Sequence, residues 1–193
     1  MARQKEFDRE AVLERAMRLF WRKGYEATSI SDLVNQMGIN RGSIYDTFGD
    51  KQSLYYAALD YYQQTTGSNL LNPIAELSSP LAAIRLIFAN LVDEAICDDS
   101  RDGCFAVNAA MELAAHNHQI AKRSKDAIDG MTAGFQGGLE RAIELGELDS
   151  ERDTLGLAQF LVNGVLGIRT MAKMNPDRSA LNDIVATTLS VLK

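Results

Sequence analysis

Apolar residues recur along most of this chain with the 3.6-residue period of an amphipathic helix, and almost nowhere with the alternation of a strand. Over 9–23, Val12, Leu13, Ala16, Met17 and Phe20 form one stripe, with Asp8 placed to cap its start and Gly24 its end. Over 30–37, Ile30, Leu33, Val34 and Met37 fall at i, i+3, i+4 and i+7 behind a Ser29/Asp32 capping-box pattern. Gly38 stops that segment, and Asn40 can cap a third helix ending near Phe48, with Ile44, Tyr45 and Phe48 inward. Asp50 caps a fourth, over 51–66, and 67–79 reads as a loop or frayed helix end. Pro80 suits the first turn of a fifth helix carrying Leu81, Ile84, Phe88, Leu91 and Val92. After a polar break at 98–103, a sixth helix covers 105–115 and a long seventh 119–145. The eighth, 152–174, is apolar nearly all round, and a ninth after Pro176 aligns Leu181, Ile184, Val185, Leu189 and Leu192. The expected fold is all-α, with about nine helices and no internal repeat.

The spacing of the second and third helices adds more. Met37-Gly38-Ile39-Asn40 is a short, glycine-containing turn between two short helices, as a helix-turn-helix requires. The third helix opens with side chains of the kinds that hold or read DNA. Arg41 can fork onto guanine or phosphate, Gly42 lets the backbone approach, and Ser43 and Tyr45 offer hydroxyls. Thr28 and Ser29 start the second helix, whose N-terminus can hold a phosphate, and Lys51 starts the fourth. An Arg3/Lys5 arm is either a solvated terminus or a reach into a groove.

Gly24-Tyr25-Glu26-Ala27-Thr28-Ser29-Ile30, Gly38-Ile39-Asn40-Arg41-Gly42-Ser43-Ile44-Tyr45 and Phe48-Gly49-Asp50-Lys51 together resemble the DNA-binding head of TetR-family transcriptional regulators. The resemblance covers about the first third of the chain. It departs at Asn40-Arg41, where the family often has Ser-Lys; cap and cation are both kept. It implies a three-helix DNA-binding domain at 1–51 and a helical ligand-binding and dimerisation domain at 52–193. It also implies a homodimeric regulator, most often a repressor, released from a palindromic double-stranded operator by a small-molecule effector. The DNA-contacting set is then Thr28, Ser29, Asn40, Arg41, Gly42, Ser43, Tyr45 and Lys51.

Charge and composition agree with that division. Of 193 residues, 20 are Lys or Arg and 26 Asp or Glu, a net charge of −6. Residues 1–51 carry nine basic and eight acidic side chains, and 52–193 carry eleven and eighteen, so a +1 head precedes a −7 body. A hydrophobic fraction of 46% excludes global disorder. No long uncharged apolar run suggests a membrane span, and no leader pattern opens the chain, so a cytoplasmic protein is expected. Cys97 and Cys104, seven apart, are neither a disulfide framework nor a Cys-Xaa-Xaa-Cys motif.

The body offers a pocket and an interface. Phe88, Leu91, Cys104, Phe105, Asn108, Met111, Glu112, Met131, Phe135 and Asn163 are its expected ligand lining, suited to a small, partly apolar, neutral or cationic molecule. Gly130, Gly134, Gly137 and Gly138 within one helix mean either close helix packing or room for that ligand. Asn108 and Glu112, four apart, either anchor the ligand or pair with other body residues. The all-apolar eighth helix needs a second buried face, which a C₂ contact through Phe160, Leu166, Ile184 and Leu189 would supply. Glu112, His116 and His118 have poor spacing for a metal, so neither metal nor cofactor is expected. The rival reading is an all-α enzyme acting on a small apolar substrate through Cys104, Glu112 or His116; no nucleophile–base motif accompanies it.

Overall fold

The computed structural model describes residues 7–97, 102–174 and 176–193. The Arg3/Lys5 arm and most of the 98–103 break lie outside them. Ten α-helices follow in order: α1 Arg9–Lys23, α2 Ile30–Met37, α3 Arg41–Phe48, α4 Lys51–Tyr62, α5 Asn72–Glu76, α6 Pro80–Cys97, α7 Phe105–Leu113, α8 His118–Glu144, α9 Thr154–Met174 and α10 Arg178–Leu189. No strand occurs among the described residues. Nine of the ten are the helices expected from periodicity. The tenth, α5, occupies the 67–79 stretch, and a π-helical turn, Gln63–Gly67, ends the fourth helix early.

The caps explain the boundaries. The Asp8 carboxylate accepts from the N–H groups of Glu10 and Ala11, Asn40 from Ser43, Asp50 from Ser53 and Asp177 from Ser179 and Ala180. Ser29 and Asp32 form the reciprocal capping box. The α9 helix starts at Thr154 rather than 152 because the Asp153 carboxylate accepts from Gly156 N at 3.0 Å. Asn117 plays that part for α8.

The chain forms two compact units. The first comprises 1–65 and 105–124, so it is larger than the expected 1–51 head: it includes α4 and α7. The reason is aromatic. Phe20 meets Tyr55 edge-on at 4.9 Å, and Tyr55 and Tyr62 meet Phe105 at 5.5 and 5.7 Å. Each such pair is worth about 0.5–1.5 kcal/mol beyond its buried area. Around them lie Val12, Leu13, Met17, Leu33, Met37, Ile44 and Leu54, all buried. Arg123 pairs with Asp60 at 2.9 Å, and Tyr56 and Asn117 hydrogen-bond each other.

The second unit, 66–104 and 125–193, has its own core of Leu81, Ile84, Phe88, Leu91, Phe135, Leu139, Leu161, Val165 and Ile168. Gly134 and Gly138 now have an explanation. A Cβ at Gly134 would collide with Leu71 Cδ1, and one at Gly138 would fall 3.0 Å from Ile74 Cγ2. These two glycines let the α5 segment lie against α8, which is the packing alternative. Nothing stands within 4 Å of a Cβ at Gly130 or Gly137. The α5 segment is fastened at its far end, where the Arg141 guanidinium donates to the carbonyls of Ile74 (2.9 Å), Leu77 (2.5 Å) and Ser78 (3.1 Å).

Candidate nucleic-acid interface

The helix-turn-helix is built by local rules. Gly38 takes φ 70°, a left-handed conformation that reverses the chain after α2, and its N–H donates to Val34 O. Arg15, on α1, donates to Met37 O at 3.0 Å and so ties the turn to the first helix. Asn40 then starts α3 by accepting from Ser43 N at 2.8 Å. Ile44 and Phe48 are buried beneath α3, and Arg41, Gly42 and Tyr45 are exposed on its outer side.

Arg41 and Tyr45 work as a pair one helical turn apart. The guanidinium donates to the Tyr45 hydroxyl at 3.3 Å and stands 5.5 Å from the ring centre. This holds two donors side by side on the surface a major groove would meet. Tyr45, expected inward by periodicity, is 36% exposed, which suits its hydroxyl to DNA. Asn40 is exposed, but its side-chain oxygen serves as the cap. Ser43 is half-buried.

Thr28 is placed differently from the expectation. Its side chain is fully buried, and its hydroxyl donates to Gly24 O at 2.5 Å, so it holds the α1–α2 turn rather than facing a phosphate. Ser29 shares the Asp32 carboxylate with Lys23, whose ammonium lies 2.6 Å from it. Those donors, the Lys23 ammonium first, hold the Asp32 carboxyl far below the usual carboxylate range. The Ser53 N–H does the same, less strongly, for Asp50. Lys51 lies at the start of α4 with its ammonium 4.2 Å above the Tyr25 ring.

Arg15, Lys23 and Tyr25 were not legible as site residues. Each acts by a tertiary contact, for which no local spacing is a signal.

The expected ligand lining is divided between the two units. Phe105, Asn108, Met111 and Glu112 belong to the first unit, and Phe88, Leu91, Cys104, Met131, Phe135 and Asn163 to the second. Phe105 sits in the aromatic core of the first unit, and Met111 is 85% exposed. Glu112 accepts from the backbone N–H groups of Tyr25 and Glu26. Phe88, Leu91 and Phe135 are buried in the second core, Phe88 and Phe135 with ring centres 6.4 Å apart, and Asn163 is exposed. A cleft of about 290 Å³ does open in the second unit, lined by none of these residues. Thr66, Asn69, Leu70, Pro73, Ile87, Asn90, Glu94 and Arg169 form it. Cys104 is buried and Cys97 exposed. Among the described residues, no three His, Cys, Asp or Glu side chains converge as metal ligands.

On α9, Leu155, Phe160, Met171 and Met174 are exposed apolar side chains, with Leu166 half-buried; on α10, Ile184 is half-buried and Leu189 is packed into the core of the second unit.

Comparison with known proteins points one way. Residues 12–58 match the model of bacterial regulatory proteins of the tetR family, and residues 80–188 match a tetracyclin repressor-like C-terminal domain. An uncharacterized HTH-type transcriptional regulator, YezE, of Bacillus subtilis (strain 168) is 35% identical over 193 residues, 100% of both chains. The HTH-type transcriptional repressor ComR of Escherichia coli (strain K12) is 33% identical over 190 residues, 97% of this chain and 90% of that one. A cysteine mutant of the TetR-family regulator CifR, solved with 26-bp double-strand operator DNA, superposes with a TM-score of 0.88 at 26% identity, covering 98% of each chain.

Proposed function

The chain belongs to the TetR family of bacterial regulatory proteins, DNA-binding transcriptional regulators and not enzymes, and from that premise we propose that it is a ligand-released repressor acting as a cytoplasmic homodimer on a palindromic operator. The observation that carries the reading is the outer side of α3, where Arg41 and Tyr45 are paired and exposed. In a helix-turn-helix such side chains reach base edges, while Lys51 and the N-terminus of α2 take phosphates. The repressor role is supported by the description of ComR.

Two exposed surfaces support the rest. The apolar outward side of α9, with Phe160 44% exposed, is the face a second subunit would cover, and a two-fold dimer sets two heads on two half-sites about 34 Å, one DNA turn, apart or a multiple of it. By length and composition α9 could also cross a bilayer. Its inner face, with Leu161, Val165 and Ile168, is instead committed to the core of the second unit. The cleft beside the π-helical turn is the effector site. Leu70, Pro73 and Ile87 give it an apolar side, and Asn69, Asn90, Glu94 and Arg169 a polar one. That suits a small organic molecule carrying both an apolar part and hydrogen-bonding groups.

The test is selection of an operator from a random-sequence duplex pool, followed by a gel shift with Arg41→Ala and with Asn90→Ala. Loss of the shift only for Arg41→Ala, and release of the wild type but not of Asn90→Ala by a screened compound, are the expected results. A folded Arg41→Ala protein that binds the selected operator as tightly as wild type would refute the recognition helix.

A further inference from the structure

The turn between α1 and α2 passes through Gly24, Tyr25 and Glu26, with Gly24 at φ 83°. A chain leaving one helix before entering the next leaves backbone N–H groups without helical partners. Here one side chain takes two of them. Tyr25 N donates to Oε2 of Glu112 at 3.0 Å, and Glu26 N donates to Oε1 at 2.8 Å. Both oxygens of the carboxylate are thus engaged, each in a charge-assisted bond. A Cβ at Gly24 would stand 3.0 Å from Oε2, so a larger residue there would also press on the Glu112 carboxylate. Glu112 is on α7, in the same compact unit, and far from the turn in sequence.

The turn passes this placement to a cation. The Tyr25 ring packs against Tyr55 at 5.0 Å and Phe20 at 6.3 Å, and the Lys51 ammonium stands 4.2 Å from its centre. Burial among those rings, with the nearby Glu26 carboxylate second, raises the Tyr25 hydroxyl above its ordinary value, so the ring stays neutral beside the lysine. A lysine on four rotatable bonds is poorly placed for a phosphate unless something restricts it. The aromatic face under the ammonium is that restriction.

We propose that Glu112 is a positioning residue for DNA binding: its two hydrogen bonds fix the Tyr25–Glu26 turn, and the fixed Tyr25 ring sets Lys51 for a DNA phosphate. The proposal rests on reading Lys51 as a phosphate ligand. With the clasp broken, the ring and the ammonium regain freedom that must be given up again on binding. Ordering one such side chain corresponds to roughly a 2- to 10-fold loss of affinity.

The experiment measures binding of a mixed-sequence DNA duplex across a range of salt concentrations. It uses wild type, Lys51→Ala, Glu112→Gln and the double variant, with Met111→Ala as an exposed neighbour control. Glutamine keeps the size of Glu112 but turns an amide NH₂ toward one of the two backbone N–H groups, so one bond is lost. Lys51→Ala is expected to flatten the salt slope by about one phosphate contact. In the Glu112→Gln background it is expected to add less than about twofold, because the lysine is already misplaced. Tyr25→Leu, which leaves both N–H bonds to Glu112 in place, is expected to blunt the Lys51→Ala effect in the same way, whether or not Glu112→Gln folds. If Lys51→Ala leaves the wild-type slope unchanged, the phosphate reading fails and the proposal falls with it. If it flattens the slope equally in every background, Lys51 is a phosphate ligand and Glu112 only a structural tie.

Discussion

Two helices of this protein present a surplus outward, and of opposite kinds. The α3 helix has eight residues, a side-chain cap and an outer side carrying Arg41 and Tyr45. The α9 helix has 21 residues and an outer side carrying Leu155, Phe160, Met171 and Met174, from 38 to 68% exposed. Polar donors in water are satisfied, so α3 can wait for its partner at no cost. Apolar side chains in water are not, so covering the outer side of α9 would be favourable. The contrast is one of chemistry: the outer side of α3 offers hydrogen-bond donors, as base edges and phosphates require, and that of α9 an apolar surface, as the proposed second subunit requires.

The largest effect is expected on α9. Phe160→Asp puts a charge into the face that a second subunit would bury, and should raise the dimer dissociation constant about 30-fold or more. Sedimentation velocity reads it directly. Operator affinity should fall with it, although Phe160 is nowhere on α3. A wild type that sediments as a monomer at micromolar concentration would remove the protein–protein half of the comparison.

On α3, Arg41→Ala and Tyr45→Phe should each cost about 1–3 kcal/mol of operator affinity, with the thermal midpoint unchanged. Because the two groups are hydrogen-bonded, their double variant should lose less than the sum. Simple additivity, measured by fluorescence anisotropy, would mean that the two side chains act separately on DNA.

The glycines of α8 supply a smaller effect. Gly130→Ala and Gly137→Ala meet open space and should stabilise the protein by about 0.5–1 kcal/mol each in urea unfolding. Gly134→Ala should gain less or lose, because Leu71 must move to admit the methyl group.

The smallest effect concerns acid. The Asp32 carboxyl is lowered by Lys23 and the Ser29 donors. A lowered carboxyl contributes stability that is present above its unfolded value, near pH 4, and is lost as pH falls through the folded value. Asp32→Asn should therefore lower stability to urea at neutral pH and flatten its loss below about pH 4, where the variant and the wild type converge, as read by Trp21 fluorescence.

How much of this was legible can be said element by element. Ile30, Leu33 and Met37, or Leu81, Ile84 and Phe88, declare their helices because period and cap chemistry are local. The same holds for the start of α3, where Asn40, Gly38 and Arg41 each do what their residue type does within four positions. The short helix α5 was not legible. Its five residues are too few to show a period, and what holds it, Arg141 and the glycines of α8, lies more than 60 residues away.

The sequence by itself therefore determined nine of the ten described helices, the caps of the first four, the helix-turn-helix and the family, since each depends on residues within a few positions of one another. Tertiary structure alone decided that Thr28 is buried under the turn, that Phe105 belongs to the aromatic core of the first unit, and that Glu112 holds the backbone of residues 25 and 26. It also decided that a cleft opens in the second unit beside Asn90 and Glu94. The physical reason is common to all four. A side chain's periodicity says which face it occupies, but its partner is set by which other element packs there, and that choice is made by long-range burial that no local pattern encodes.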